Sequence, residues 1–249
     1  MCADQIQENS QKQDDTQFRE RIVRASDQDL GSYELIKDEK ELIWYPAEVN
    51  TSIRPGWFYH EEEDDQVKSL ETLISIYEHS VGGNATFLLN IPPTKEGLFH
   101  ENDVKRLHEI GEYKKKFYGK NLLEKASLFC EEQKKGFEIE NVRNDDYDSY
   151  FTTLDGQRNC RIHIKFDKEY DIHRVVLKEN IKKSQRIEAF RILTVHDGSE
   201  KCIFEGTVVG YKKIALLDEI KTKELIKELV IEIIDSRVAP TLSYIGIFE

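Results

Sequence analysis

Apolar residues recur at helical spacing at Val67, Leu70, Leu73, Ile74, Tyr77 and Val81, which predicts a helix that starts from the acidic run Glu61–Asp65 and ends at Gly82-Gly83. The continuous apolar run from Ala85 to Ile91 then predicts a buried parallel strand, stopped by Pro92-Pro93. A second helix is expected from about Asn102 to Tyr118, with Val104, Leu107, Ile110 and Phe117 inward and Lys114–Lys116 solvated. Leu42 to Tyr45 reads as a further short strand, so the stretch amounts to two βα units. Ahead of it, the Gln-rich segment from Asp4 to Arg24 reads as a polar helix with no apolar strand.

After Gly119 the period changes from helical to alternating. Ile162, Ile164 and Phe166 alternate with polar residues. Further runs lie at 172–177, 190–195, 203–204, 229–234 and 244–248, with turn signals at Asp155-Gly156, Asp197-Gly198 and Gly210. Short strands at this spacing predict a β-sandwich. The chain of 249 residues therefore divides into an α/β part, residues 1–118, and an all-β part, residues 119–249. A hydrophobic content of 39% is enough for two cores of moderate size.

The candidate chemistry is concentrated in the first part. Both tryptophans and four of the five prolines lie between Trp44 and Pro93, close to Glu48, Arg54 and His60. A pyranose offers an apolar face to an aromatic ring, and its hydroxyls need charged or amide partners at fixed angles. A nearby glutamate can act as acid or base at a glycosidic bond. Two readings stay open on spacing alone: a sugar site, or core tryptophans beside a solvated Glu48.

The runs Ile43–His60 (IWYPAEVNTSIRPGWFYH) and Ser80–Pro93 (SVGGNATFLLNIPP), followed by Gly97-Leu98, resemble the C-terminal part of the catalytic domain of α-L-fucosidases of glycoside hydrolase family 29. The resemblance covers roughly residues 3–120. It extends more loosely over the remainder, which looks like a galactose-binding-like jelly roll, the appended β-sandwich of that family. It implies a partial (β/α) TIM-like barrel followed by that sandwich, and a retaining glycosidase that removes terminal α-L-fucose. Trp57 is then expected to form the aromatic wall of the site, with Arg54 and Asn90 as further substrate contacts; His60 either orients a sugar hydroxyl as a further contact or makes a surface or core hydrogen bond to backbone.

In that family the aspartate nucleophile lies well upstream of the tryptophan motif. Only about 40 residues precede Trp44 here, and Asp27 and Asp29 sit in a loop-like segment, so the nucleophile is assigned to neither. Glu48 is a candidate acid/base by its position before Gly56-Trp57, with a structural or substrate-orienting role as the competing reading. A whole barrel takes about 250 residues. The stretch 1–118 is therefore expected to be a barrel remnant lacking the nucleophile, inactive alone or dependent on a second polypeptide for the missing strands. Three readings compete: a fucosidase polypeptide retaining part of the active-site wall, one chain of a split fucosidase completed by an N-terminal barrel chain, and a non-catalytic carbohydrate-binding or bracing module. In the last, Tyr147, Tyr150 and Phe151 form either a sugar platform or core packing.

Charge and cysteine spacing limit the alternatives. A net charge of −12 argues against nucleic acid or an anionic membrane as partner, leaving a fucosylated oligosaccharide or glycoconjugate as the implied ligand. The pairs Lys182-Lys183 and Lys212-Lys213 read as solvated strand edges. Cys2, Cys130, Cys160 and Cys202 lack metal-ligand spacing, and His100 and His108 stand two helical turns apart, so neither metal nor other cofactor is expected. Scattered thiols and a start without a basic-then-apolar leader suit a cytoplasmic chain.

Overall fold

The computed structural model describes residues 29–41, 46–217 and 224–249. The polar helix expected over Asp4–Arg24, the strand expected at Leu42–Tyr45, Asp27 and Trp44 lie outside these residues. In chain order the elements begin with helix α1 (Tyr33–Ile36), strand β1 (Glu48–Ser52), helix α2 (Leu70–Ser80), strand β2 (Thr86–Asn90) and helix α3 (Glu101–Tyr118). Strands follow: β3 (Ala126–Phe129), β4 (Phe151–Thr152), β5 (Cys160–Tyr170), β6 (Arg174–Lys178), β7 (Ile187–His196), β8 (Ser199–Gly206), β9 (Lys213–Leu216), β10 (Ile226–Ser236), β11 (Thr241–Leu242) and β12 (Tyr244–Phe248). The chain forms two compact units, one containing residues 43–119 and the other 28–42 with 120–249.

In the first unit β1 and β2 pair in parallel, Glu48 opposite Thr86 and Ser52 opposite Asn90. The segment between them, carrying α2, is the crossover that parallel pairing requires. Ser69 starts α2 by accepting a hydrogen bond from the Thr72 N–H at 3.1 Å. The acidic run is therefore not the N-terminus of α2. It forms a separate 3-10 turn at Glu61–Glu63, ahead of Ser69, and Glu63 and Asp64 are used by the preceding loop. Strand β2 is less covered than its apolar run suggests, with Leu88 48% exposed among the described residues. On α3 the most deeply buried side chain is Asp103, not Val104, which is exposed.

The second unit is built on an antiparallel sheet of order β3-β5-β10-β7-β8 and a smaller one of order β12-β6-β9. Alternation fixes which face is covered. Leu229, Ile231 and Ile233 on β10 lie opposite Ile164, Ile162 and Cys160 on β5, and opposite Thr194, Ile192 and Phe190 on β7. A one-residue slip would turn this row to the other face. The row shares one core with Val175 and Leu177 of β6, Ala215 of β9, and Ile245 and Ile247 of β12. Each fully buried valine, leucine, isoleucine or phenylalanine among them stabilises by about 1.5–3 kcal/mol. The hairpin β7–β8 turns at Asp197-Gly198, both at positive φ, the combination that matches strand twist in a two-residue turn.

One expectation fails in this unit and one open alternative narrows to core packing. Lys213 is only 2% exposed and is no solvated strand edge; burial lowers the pKa of its ammonium, and of that of Lys212, to about 8. Lys182 and Lys183 are exposed. Phe151 is fully buried in the core and Tyr150 packs on Phe137 at 4.8 Å, so these aromatics do not form an open platform.

Candidate functional site

The ends of β1 and β2 that carry Ser52 and Asn90 lead into a groove of about 360 Å³, lined in part by Trp57, Phe58, Tyr59, Asn90, Pro93 and Lys95. Trp57 is 45% exposed and Phe58 75%, so their apolar faces are available to a ligand. The far rim is shaped by a turn in which the Gly97 N–H donates to the Thr94 carbonyl at 2.9 Å and the Thr94 N–H to that of Leu98 at 2.8 Å. Gly97 sits at φ +78°, a conformation that other residues rarely adopt.

Asn90 sets the position of the tryptophan. Its Nδ2 donates to the Trp57 carbonyl at 2.8 Å and to Ser52 Oγ at 3.3 Å, joining the end of β2 to the loop after β1. The loop itself is pinned from below. Lys68 Nζ donates to the carbonyls of Ser52 and Arg54 at 2.6 and 2.9 Å, and burial lowers its pKa despite the opposing charge of Glu63. The Gly56 N–H donates to Glu63 Oε2 at 3.1 Å, and a Cβ at Gly56 would lie 3.0 Å from the same carboxylate.

Arg54 is the centre of this support. It is fully buried, its Nε shared between the two oxygens of Asp103 and its Nη1 donating to Asp64 at 2.8 Å and to the His60 carbonyl at 3.4 Å. The guanidinium also lies 4.9 Å from the Tyr59 ring centre. Tyr59 Oη donates to Asp64 at 3.2 Å and His100 Nε2 lies 3.3 Å from the same carboxylate. Desolvation pushes the Asp64 carboxyl upward, but the bonds from Arg54 and Tyr59 and the His100 charge outweigh it, holding its pKa below the usual range.

The five residues singled out from sequence thus separate. Trp57 and Asn90 meet at the groove. Arg54 lies beneath it with no exposed surface, and the His60 imidazole is exposed, 3.9 Å from Glu62, and contributes its carbonyl to the Arg54 cage. Glu48 is the first residue of β1, at the opposite end from Ser52. Four residue steps at about 3.3 Å each put its backbone roughly 13 Å from the strand end that bears the groove. Asp103, Asp64 and Lys68 carry no sequence signal beyond charge; Asp103 reads there as an ordinary acid in a first helical turn.

Comparison with known proteins adds to this geometry. Residues 1–120 match the family model described as alpha-L-fucosidase. The chain is 34% identical over 212 residues to alpha-L-fucosidase 1 of Arabidopsis thaliana, covering 82% of this chain and 41% of that protein. A GH29 fucosidase of Ruminococcus gnavus solved in complex with fucose superimposes with TM-score 0.75 at 28% identity, covering 83% of this chain and 41% of that one. The structure of SpGH29 gives TM-score 0.72 at 30% identity, over 82% and 44%. The chain therefore spans about two fifths of the length of these relatives.

Proposed function

Over residues 1–120 the chain belongs to the α-L-fucosidase family, glycoside hydrolase family 29, and from that premise we propose that it forms one wall of a retaining α-L-fucosidase site that releases terminal α-L-fucose from glycoconjugates. The observation that carries the reading is the groove at the Ser52 and Asn90 ends of two parallel strands, where Trp57 presents an open aromatic face. In (β/α) barrels the chemistry is done at these C-terminal strand ends. Trp57 stacks on the apolar face or methyl group of the fucose, and Asn90 holds the tryptophan loop against the end of β2. Arg54 is a positioning residue rather than a sugar contact, because its side chain has no exposed surface.

On this reading residues 1–118 are part of a (β/α) barrel and residues 119–249 a jelly-roll-like β-sandwich. A barrel needs eight strands in about 250 residues, and the described parallel sheet has two. The nucleophile and remaining strands are then carried by sequence outside these 249 residues, on a longer form of the chain or on a second polypeptide. On this reading Glu48 takes the structural role and not that of acid/base, a choice supported by its place at the start of β1, away from the groove.

The test is hydrolysis of a chromogenic α-L-fucoside by the 249-residue chain, alone and mixed with the N-terminal barrel portion of a family 29 enzyme. Turnover in the mixture alone supports the reading. Turnover by the isolated chain that Glu48→Gln abolishes overturns it.

A further inference from the structure

A concavity of about 580 Å³ in the second unit lies between α1 and the ends of β7 and β10. Its lining includes Tyr33, Glu34, Arg158, Glu188, Asp235 and Arg237. We propose that it binds a neutral monosaccharide unit, independently of the Trp57 groove, with Tyr33 as the stacking surface.

Tyr33, which lines this concavity, is 54% exposed. Its backbone is held in place, since the Tyr33 N–H donates to Glu188 Oε2 at 2.8 Å and the other oxygen of Glu188 pairs with Arg237 Nε at 2.5 Å. Arg237 Nη2 reaches the Gly31 carbonyl, fastening the turn before α1 to β10's end. The aromatic is thus an exposed ring on a fixed support, and it costs little side-chain entropy to use.

The polar groups suit hydroxyls better than ions. Arg158 Nη2 donates to Asp235 Oδ1 at 2.8 Å, and both side chains remain about half exposed. A planar guanidinium and a carboxylate side by side supply donors and acceptors to vicinal hydroxyls, while each already neutralises the other. The lining holds four carboxylates, Asp29, Glu34, Glu188 and Asp235, against the two guanidiniums of Arg158 and Arg237, which disfavours a phosphate or sulfate. The volume falls within the ordinary range for small-molecule sites.

The full 249-residue chain is titrated with L-fucose, D-galactose and D-xylose by calorimetry, with ring resonances followed by NMR. Saturable millimolar binding of at least one sugar is expected, with shifts in the Tyr33 ring. Tyr33→Ala and Arg158→Ala each weaken the D-galactose or D-xylose binding at least 10-fold, and Trp57→Ala leaves the sugar-induced shifts of the Tyr33 ring in place. Absence of saturable binding overturns the proposal, as does binding that Trp57→Ala removes and Tyr33→Ala spares. Neither result bears on turnover at the Trp57 groove, which the fucoside assay reads separately.

Discussion

Arg54 and Asp103, 49 residues apart in sequence, form an ion pair in which both side chains are fully buried, the Arg54 Nε lying 3.1 and 3.0 Å from the two carboxylate oxygens. It ties the loop after β1 to the first turn of α3. Removing one member strands the other charge without solvent, which typically costs about 3–5 kcal/mol. Asp103→Asn and Arg54→Ala are each expected to destabilise the first unit by that amount. Urea unfolding followed by tryptophan fluorescence measures it, and a loss below about 1 kcal/mol contradicts the account.

Trp57 and Glu48 are expected to behave oppositely. In a complemented, active enzyme Trp57→Ala lowers kcat/KM at least 10-fold by removing the aromatic wall. Glu48→Gln leaves kcat within about twofold, because its carboxyl does not reach the groove; loss of an acid/base would instead cost about 10²–10⁴-fold. Steady-state kinetics on an aryl α-L-fucoside separates the two.

Asn90 is expected to act through the tryptophan rather than on the sugar. Asn90→Ala breaks the bonds to the Trp57 carbonyl and Ser52 Oγ, each worth about 0.5–1.5 kcal/mol. Its signature is a broadened Trp57 indole resonance in the absence of sugar, together with a fall in kcat/KM. A sharp, unmoved indole signal in the variant contradicts the positioning role.

Glu179 imposes a pH dependence on the second unit. It is fully buried, and burial raises its carboxyl to about 7 although the N–H groups of Gly210, Ile187 and Arg186 pull the other way. A folded-state pKa above the unfolded value of 4.5 gives a contribution present in full below about pH 4.5 and lost as pH rises through 7. The difference amounts to about 3 kcal/mol. Glu179→Gln removes this slope, so the stability gap between wild type and variant narrows or reverses from pH 5 to pH 8. Denaturant unfolding at both values checks it, and a gap that widens with pH contradicts it.

Much of this was legible in the residues, and the failures share a cause. The alternation at Ile162, Ile164 and Phe166 marks β5 because each apolar residue faces one core. Helix α2 and strand β2 are read to within a few residues for the same reason. Long-range charge pairing leaves no periodic trace. The run Glu61–Asp65 reads as a helix start because local dipole logic favours it, yet Asp64 and Glu63 are taken up by Arg54 and Gly56. Arg54 reads as an exposed side chain because arginines are seldom buried, and only its pairing with Asp103 accounts for its burial. The sequence motif around Glu48 does not show which end of a strand carries it; the structure puts it first in β1, away from Ser52.

The most direct test of the central claim, that this chain supplies a wall of the site and not its nucleophile, is covalent trapping. A retaining enzyme forms a glycosyl-enzyme ester, which a 2-deoxy-2-fluoro-α-L-fucosyl fluoride makes long-lived. With the complemented enzyme, peptide mapping by mass spectrometry is expected to place the fluorofucosyl group outside residues 1–249, with labelling slowed by Trp57→Ala. A label on any aspartate or glutamate within these 249 residues would contradict the account.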